Sequence, residues 1–162
     1  MPFYYGLTRP TTTNASANTC ATHLQFRTVT NGPTAAIMNV MASGRPTNST
    51  AGAAEIRIGR LDIQGSGGTA ATLHCSRWGN PVPSLTAFSD ASSFGTTGGA
   101  TSYHESVGFA QTGGHNGWVA LEPDDGIQMV HSTTQSAGTN VVIDSFATAT
   151  SAGVQISVRL KE

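Results

Sequence analysis

Charge is what this sequence has least of. Asp, Glu, Lys and Arg together make up 10% of its 162 residues, against roughly a quarter in an ordinary globular chain. Lysine is nearly absent, with Lys161 alone beside Arg9, Arg27, Arg45, Arg57, Arg60, Arg77 and Arg159. These arginines are scattered singly and the formal net charge is -1. That excludes the clustered positive field on which nucleic-acid binding depends. Long apolar runs are missing too. None approaches the ~18–20 residues that span a bilayer, so no membrane partner is expected. The start, Met1-Pro2-Phe3-Tyr4-Tyr5-Gly6, has neither the basic nor the apolar region of a signal peptide. The expectation is a soluble chain synthesised in a cytoplasm.

Gly, Ala, Ser and Thr fill about half the chain in place of charge. Disorder normally requires high net charge with low hydrophobicity, and net charge is lacking here. The composition therefore points to β structure built from small residues. A nearly neutral surface also lacks the colloidal repulsion that keeps monomers apart, which suits a subunit of an assembly.

Cysteine is scarce, with Cys20 and Cys75 only. In a reducing cytoplasm both are expected as free thiols, and a disulfide is the alternative if the mature particle lives outside cells. The sequons Asn14-Ala15-Ser16 and Asn48-Ser49-Thr50 are read as chance without a secretory route.

Helix signals are equally rare. Apolar residues do not recur at i, i+3, i+4, i+7 through any window, and good helix formers are sparse. Strand signals recur between Gly, Pro, Asn and Asp punctuation. The clearest is the alternation of Val154, Ile156, Val158 and Leu160 with Gln155, Ser157, Arg159 and Lys161. Residues 140–146 read as a more buried strand, and the turn Pro123-Asp124-Asp125-Gly126 precedes another from Ile127. The last third therefore predicts an antiparallel meander. Earlier strands are predicted over 23–30, 35–42, 54–63, 70–75, 103–110 and 118–121. Within 54–63 the apolar phase changes at Gly59, which predicts a β-bulge there. Eight or nine short strands suit an all-β, single-domain β-sandwich of jelly-roll-like form. Residues 21–162 would form it, and residues 1–20 would be either an extended N-terminal arm or its first strand.

No chemistry is legible. Cys20, His23, His74 and Cys75 are a zinc-like set, but His74 and Cys75 are neighbours on a predicted strand and would face apart. Gly-x-Ser-x-Gly is absent, and Tyr103-His104-Glu105-Ser106 also alternates in facing. Gly65-Ser66-Gly67-Gly68 lacks the Lys-Ser/Thr ending of a phosphate loop. We therefore expect no catalytic residues, metal or cofactor. Trp118 reads as core rather than as a sugar-stacking ring, whereas Trp78 suits a surface or interface. Two stretches, 78–99 and 111–117, read as long loops, which are uncommon unless functional. Together with the aromatic start they supply the candidate interface residues: Phe3, Tyr4, Tyr5, Arg9, Trp78, Pro81, Pro83 and His115.

Several features carry a family resemblance. They are Phe3-Tyr4-Tyr5-Gly6-Leu7-Thr8 with the Thr/Asn/Ala/Ser stretch after it, Ile56-Arg57-Ile58-Gly59-Arg60 before a Gly-rich turn, and Trp118 ahead of Pro123-Asp124-Asp125-Gly126-Ile127 with a closing pair of strands. The pattern resembles small virion proteins of tailed bacteriophages, above all capsid decoration, or cement, proteins. That resemblance implies a non-enzymatic β-sandwich, often a homotrimer, on the outer capsid surface of the virion. There it would bridge copies of the major capsid protein after synthesis in the host cytoplasm. The alternatives are a carbohydrate- or receptor-binding module of a fibre, or a tail tube or filament subunit.

Overall fold

The alternating C-terminal segment forms the spine of one of two sheets. In the computed structural model, Gly153–Lys161 (β12) buries Val154, Ile156, Val158 and Leu160, while Gln155 and Arg159 are exposed. The structure describes residues 4–12, 21–27, 35–45, 52–61, 69–76, 83, 85–89, 103–121, 125–129, 140–147 and 153–162. Among these every regular element is a strand: Tyr4–Thr12 (β1), Ala21–Arg27 (β2), Ala35–Gly44 (β3), Ala53–Leu61 (β4), Thr69–Ala71 (β5), His74–Cys75 (β6), Thr86–Ser89 (β7), Tyr103–Ala110 (β8), His115–Val119 (β9), Ile127–Met129 (β10) and Asn140–Ala147 (β11), with β12 last. Among the described residues no helix is long and apolar enough to cross a membrane.

Two six-stranded antiparallel sheets result. The first runs β10-β3-β12-β1-β6, with β9 end to end with β10 along the same side of β3. The second runs β5-β7-β2-β11-β4-β8. The pairs β1–β12, β2–β11, β3 with β9 and β10, and β4–β8 are nested inside one another in sequence. The chain is thus one long antiparallel hairpin rolled over on itself, which is the jelly-roll wrap. The segment between β4 and β8 widens both sheets, because β6 pairs with β1 and β7 with β2.

The facing sides of the sheets share one core. Tyr5, Ile37, Ile156 and Leu160 from the first sheet meet Leu24, Phe26, Ile56 and Ile58 from the second, all fully buried. Branched and aromatic residues fit a pleated, buried surface, and each such side chain contributes about 1.5–3 kcal/mol when taken out of water. Ala35, Ala42, Ala54 and Ala87 occupy further core positions, so the small-residue composition extends inside.

A corner joins the sheets where β8 turns into β9. The Gln111 N–H donates to Gly52 O at 2.9 Å, and the Gly44 N–H donates to Gly114 O at 2.9 Å. Gly113 has φ +124°, a region L side chains avoid. A Cβ on Gly44 would fall on the backbone of Ala110 and Gln111.

Several expectations are corrected. Of the two alternatives for the start of the chain, Tyr4–Thr12 forms the first strand, held between β12 and β6, in place of an arm. The last third is not a meander, because β10 and β12 lie in one sheet and β11 in the other. Alternation reveals that a strand has a buried face but not which sheet receives it. Residues 111–117 are a tight turn followed by most of β9, and β7 lies inside the predicted 78–99 loop. The bulge expected at Gly59 lies instead on the neighbouring strand: the β4–β8 register passes from Ile58↔Glu105 to Gly59↔Tyr103, leaving His104 of β8 as the extra residue, while β4 pairs with β11 without a shift.

Candidate functional site

The outward side of the first sheet gathers the residues that a partner could grip. Alternation along β1 sends Tyr5 inward and Tyr4 outward. On β12 it sends Arg159 outward, opposite Gly6 on one side and Asn39 on the other. Gly6 has no side chain, so the Arg159 guanidinium can lean along the sheet to Tyr4, whose ring centroid lies 5.4 Å from its central carbon. A cation over an exposed ring contributes about 0.5–1 kcal/mol.

A second bulge shapes this surface. The β12–β3 register passes from Arg159↔Asn39 to Leu160↔Ile37, leaving Met38 as the extra residue on β3. The bulge breaks the alternation there. Met38 and Asn39 accordingly both line an open depression of about 440 Å³ with Tyr4, Val119, Ala120 and Arg159. The Ala120 N–H donates to Met38 O at 2.9 Å, holding the end of β9 against the bulge. Val119 is 53% exposed and Leu121 92% exposed, the two large apolar side chains most open to water among the described residues. Farther along the same face Met41 sulfur covers Gly117, occupying the place where a Cβ would sit.

The outward side of the second sheet is different in kind. Glu55 Oε1 accepts from Arg57 Nε at 2.7 Å and also from Ser106 Oγ. The Arg57 hydrogen bond is the main reason that the Glu55 carboxyl is held below the usual carboxylate range. The Ser106 hydroxyl and the Arg57 charge add to this, while partial burial opposes it. Elsewhere on this sheet the Arg27 guanidinium donates to Gln25 Oε1 at 2.6 Å and stacks 3.9 Å above the Phe88 ring. Burial lowers the Arg27 pKa.

The expected interface residues separate. Tyr4 lines the depression. His115 is exposed on β9, opposite Ser43, and Pro83 is half-buried. Tyr5 cannot serve as a contact residue, because it is fully buried in the core. Its phenol pKa is raised chiefly by that burial, and further by the charges of Glu162 and Cys75. Adjacent residues of a strand face opposite ways, so Tyr4 and Tyr5 could not both reach the surface. Arg9 pairs opposite Ile156 through its backbone, and its side chain lies outside the described residues. So do Phe3, Trp78 and Pro81. Trp118 packs half-buried against the core, as expected. Of the zinc-like set, Cys20 and the His23 side chain lie outside the described residues, while His74 is exposed and Cys75 half-buried. Among the described residues no three metal-ligating side chains come together.

Sequence reasoning missed Met38, Asn39, Val119 and Arg159. The alternation of β12 marks Arg159 as outward, but the bulge that turns Met38 and Asn39 to one side has no signal in the hydrophobic pattern. No protein-family model matches the chain, and no curated protein matches it.

Proposed function

We propose that this protein is a non-enzymatic structural subunit that docks to other chains through the outward side of its first sheet. The observation that carries the reading is the exposed pair Val119 and Leu121, with Val119 and Arg159 lining the same depression. Large apolar side chains grouped beside an arginine suit a protein contact, where Arg and apolar anchors supply much of the binding energy. A stiff two-sheet frame holds such a surface in place without requiring it to order on binding.

Within that reading we place the protein on the outer surface of a bacteriophage head, as a trimeric decoration protein bridging copies of the major capsid protein. The resemblance borne by the aromatic start, the Ile56–Arg60 segment and the Trp118-to-Ile127 region supports this. So does the jelly-roll wrap, although that topology also serves lectin and cupin domains and does not by itself fix a function.

Light scattering on the purified protein should report a trimer, and the trimer should sediment with capsids of its own particle. Val119→Asp should abolish co-sedimentation while moving the melting point little, because the side chain is already half in water. A wild-type protein that remains monomeric and binds no capsid would sink the proposal. Loss of glycan-array binding in Tyr4→Ala, with capsid binding absent throughout, would favour the carbohydrate-binding alternative.

A further inference from the structure

Two arginines that face outward from opposite sheets are in different states. Arg57 is paired with Glu55. Arg159 is exposed and rests on Tyr4, and no carboxylate among the described residues pairs with it. Stacking on a ring engages the flat face of a guanidinium. Its N–H groups lie in the plane and point outward from the edge, where they match a carboxylate in a two-pronged contact. The depression therefore combines a cation with free donors, the Asn39 side-chain amide, and an apolar border made by Met38 and Val119.

We propose that this depression takes a carboxylate carried on an apolar, extended stretch of a partner protein. The Asp or Glu side chain pairs with Arg159. A neighbouring apolar side chain seats between Met38 and Val119, where the unbranched thioether can adjust to its shape. Charge complementarity selects this occupant, because the described lining is cationic and apolar with no acid of its own. A phosphate backbone would call for several clustered cations, and this depression offers one. The inference rests on reading this face as a docking surface, and it adds the chemistry of the partner.

The test uses the full chain and defined peptides. An octapeptide with a central Leu-Glu-Leu is titrated into isotopically labelled protein, followed by the same peptide with Gln or Lys in place of Glu. The expected result is saturable amide shifts confined to the neighbourhood of Asn39, Val119 and Ala120. Affinity should be roughly tenfold weaker for the Gln peptide, and weaker by a similar factor for Arg159→Gln with the Glu peptide. Raised salt should weaken the Glu peptide selectively. Equal binding of the three peptides would overturn the proposal, as would shifts centred elsewhere or none at millimolar peptide. Self-association lost in Arg159→Gln without any peptide binding would also overturn it, because the occupant would then be a second copy of this chain. Failure here is separable from failure of the docking reading. Capsid binding abolished by Val119→Asp but untouched by Arg159→Gln would end the acid-binding inference and leave the docking surface standing.

Discussion

The outward sides of the two sheets apportion their charge in opposite ways. On the second sheet Glu55 satisfies Arg57 and Ser106 together, so the charges close on one another within the chain. On the first, Arg159 leans on Tyr4 beside Val119, and no acid faces it among the described residues. In a sequence so short of charge the difference is informative. A neutralised ion pair on a sheet surface contributes little to stability and little to recognition. An arginine left open beside apolar side chains retains its capacity for a partner.

The strongest way to break the comparison is to remove the core that both sheets share. Ile156→Asp would bury an unpaired charge at a position with no exposure, costing several kcal/mol. Calorimetry should find a lost or strongly lowered transition, and both outward faces should be lost together. A melting point like that of the wild type would refute the placement of β12 at the centre.

A smaller effect belongs to the corner. Gly44→Ala would drive a methyl into the backbone of Ala110 and Gln111, at about 1–3 kcal/mol, comparable to overpacking a core. Gly108→Ala is the control, because its added methyl would meet only Ala54 O at 3.9 Å. Denaturant midpoints for the two variants should differ clearly, and equal midpoints would mean that the corner is looser than described.

The smallest effect sharpens the contrast itself. The Glu55 carboxyl is held below its ordinary range in the folded chain. Its contribution is therefore complete at neutral pH, above the ordinary carboxylate value of about 4.3. It is lost as pH falls from there through the folded value. Glu55 and Arg57 side chains are 36% and 32% exposed, so the contribution is under about 1 kcal/mol after solvent screening. Glu55→Gln should lower stability by that amount at pH 7 and by almost nothing at pH 2, measured by urea unfolding. An equal loss at both pH values would show that the ion pair contributes nothing.

Much of the fold was legible because alternation is a strong local signal. β12 needed only Val154, Ile156, Val158 and Leu160, whereas the change of apolar phase between Ile58 and Leu61 pointed to a bulge on β4 and the extra residue is His104, across the ladder on β8. The short strands were harder. In β7, Thr86–Ser89, four residues with one inward alanine resemble loop, and β9 carries only Trp118 as an inward apolar residue with Gly117 before it. The assignment of strands to sheets was not legible either, since it depends on pairings such as Val142 with Gln25 and with Gly59, far apart in sequence. The candidate site was half legible. The facing of Tyr4 and Arg159 follows from the alternation of β1 and β12. Their meeting across Gly6 and the bulge at Met38 are products of register, which no short window contains.

The nesting of the strand pairs has a further consequence, for the order in which the molecule can be made. Tyr4 lies opposite Lys161, so β1 leaves the ribosome well before β12, the strand with which it makes its longest pairing. Contacts so distant in sequence close slowly, and domains otherwise tend to fold as they emerge. This chain cannot complete its first sheet until residues 153–161 have been made, nor its second until residues 140–147 have. Until then its early strands wait with bare edges, which places a premium on rapid assembly or on a chaperone that shields them.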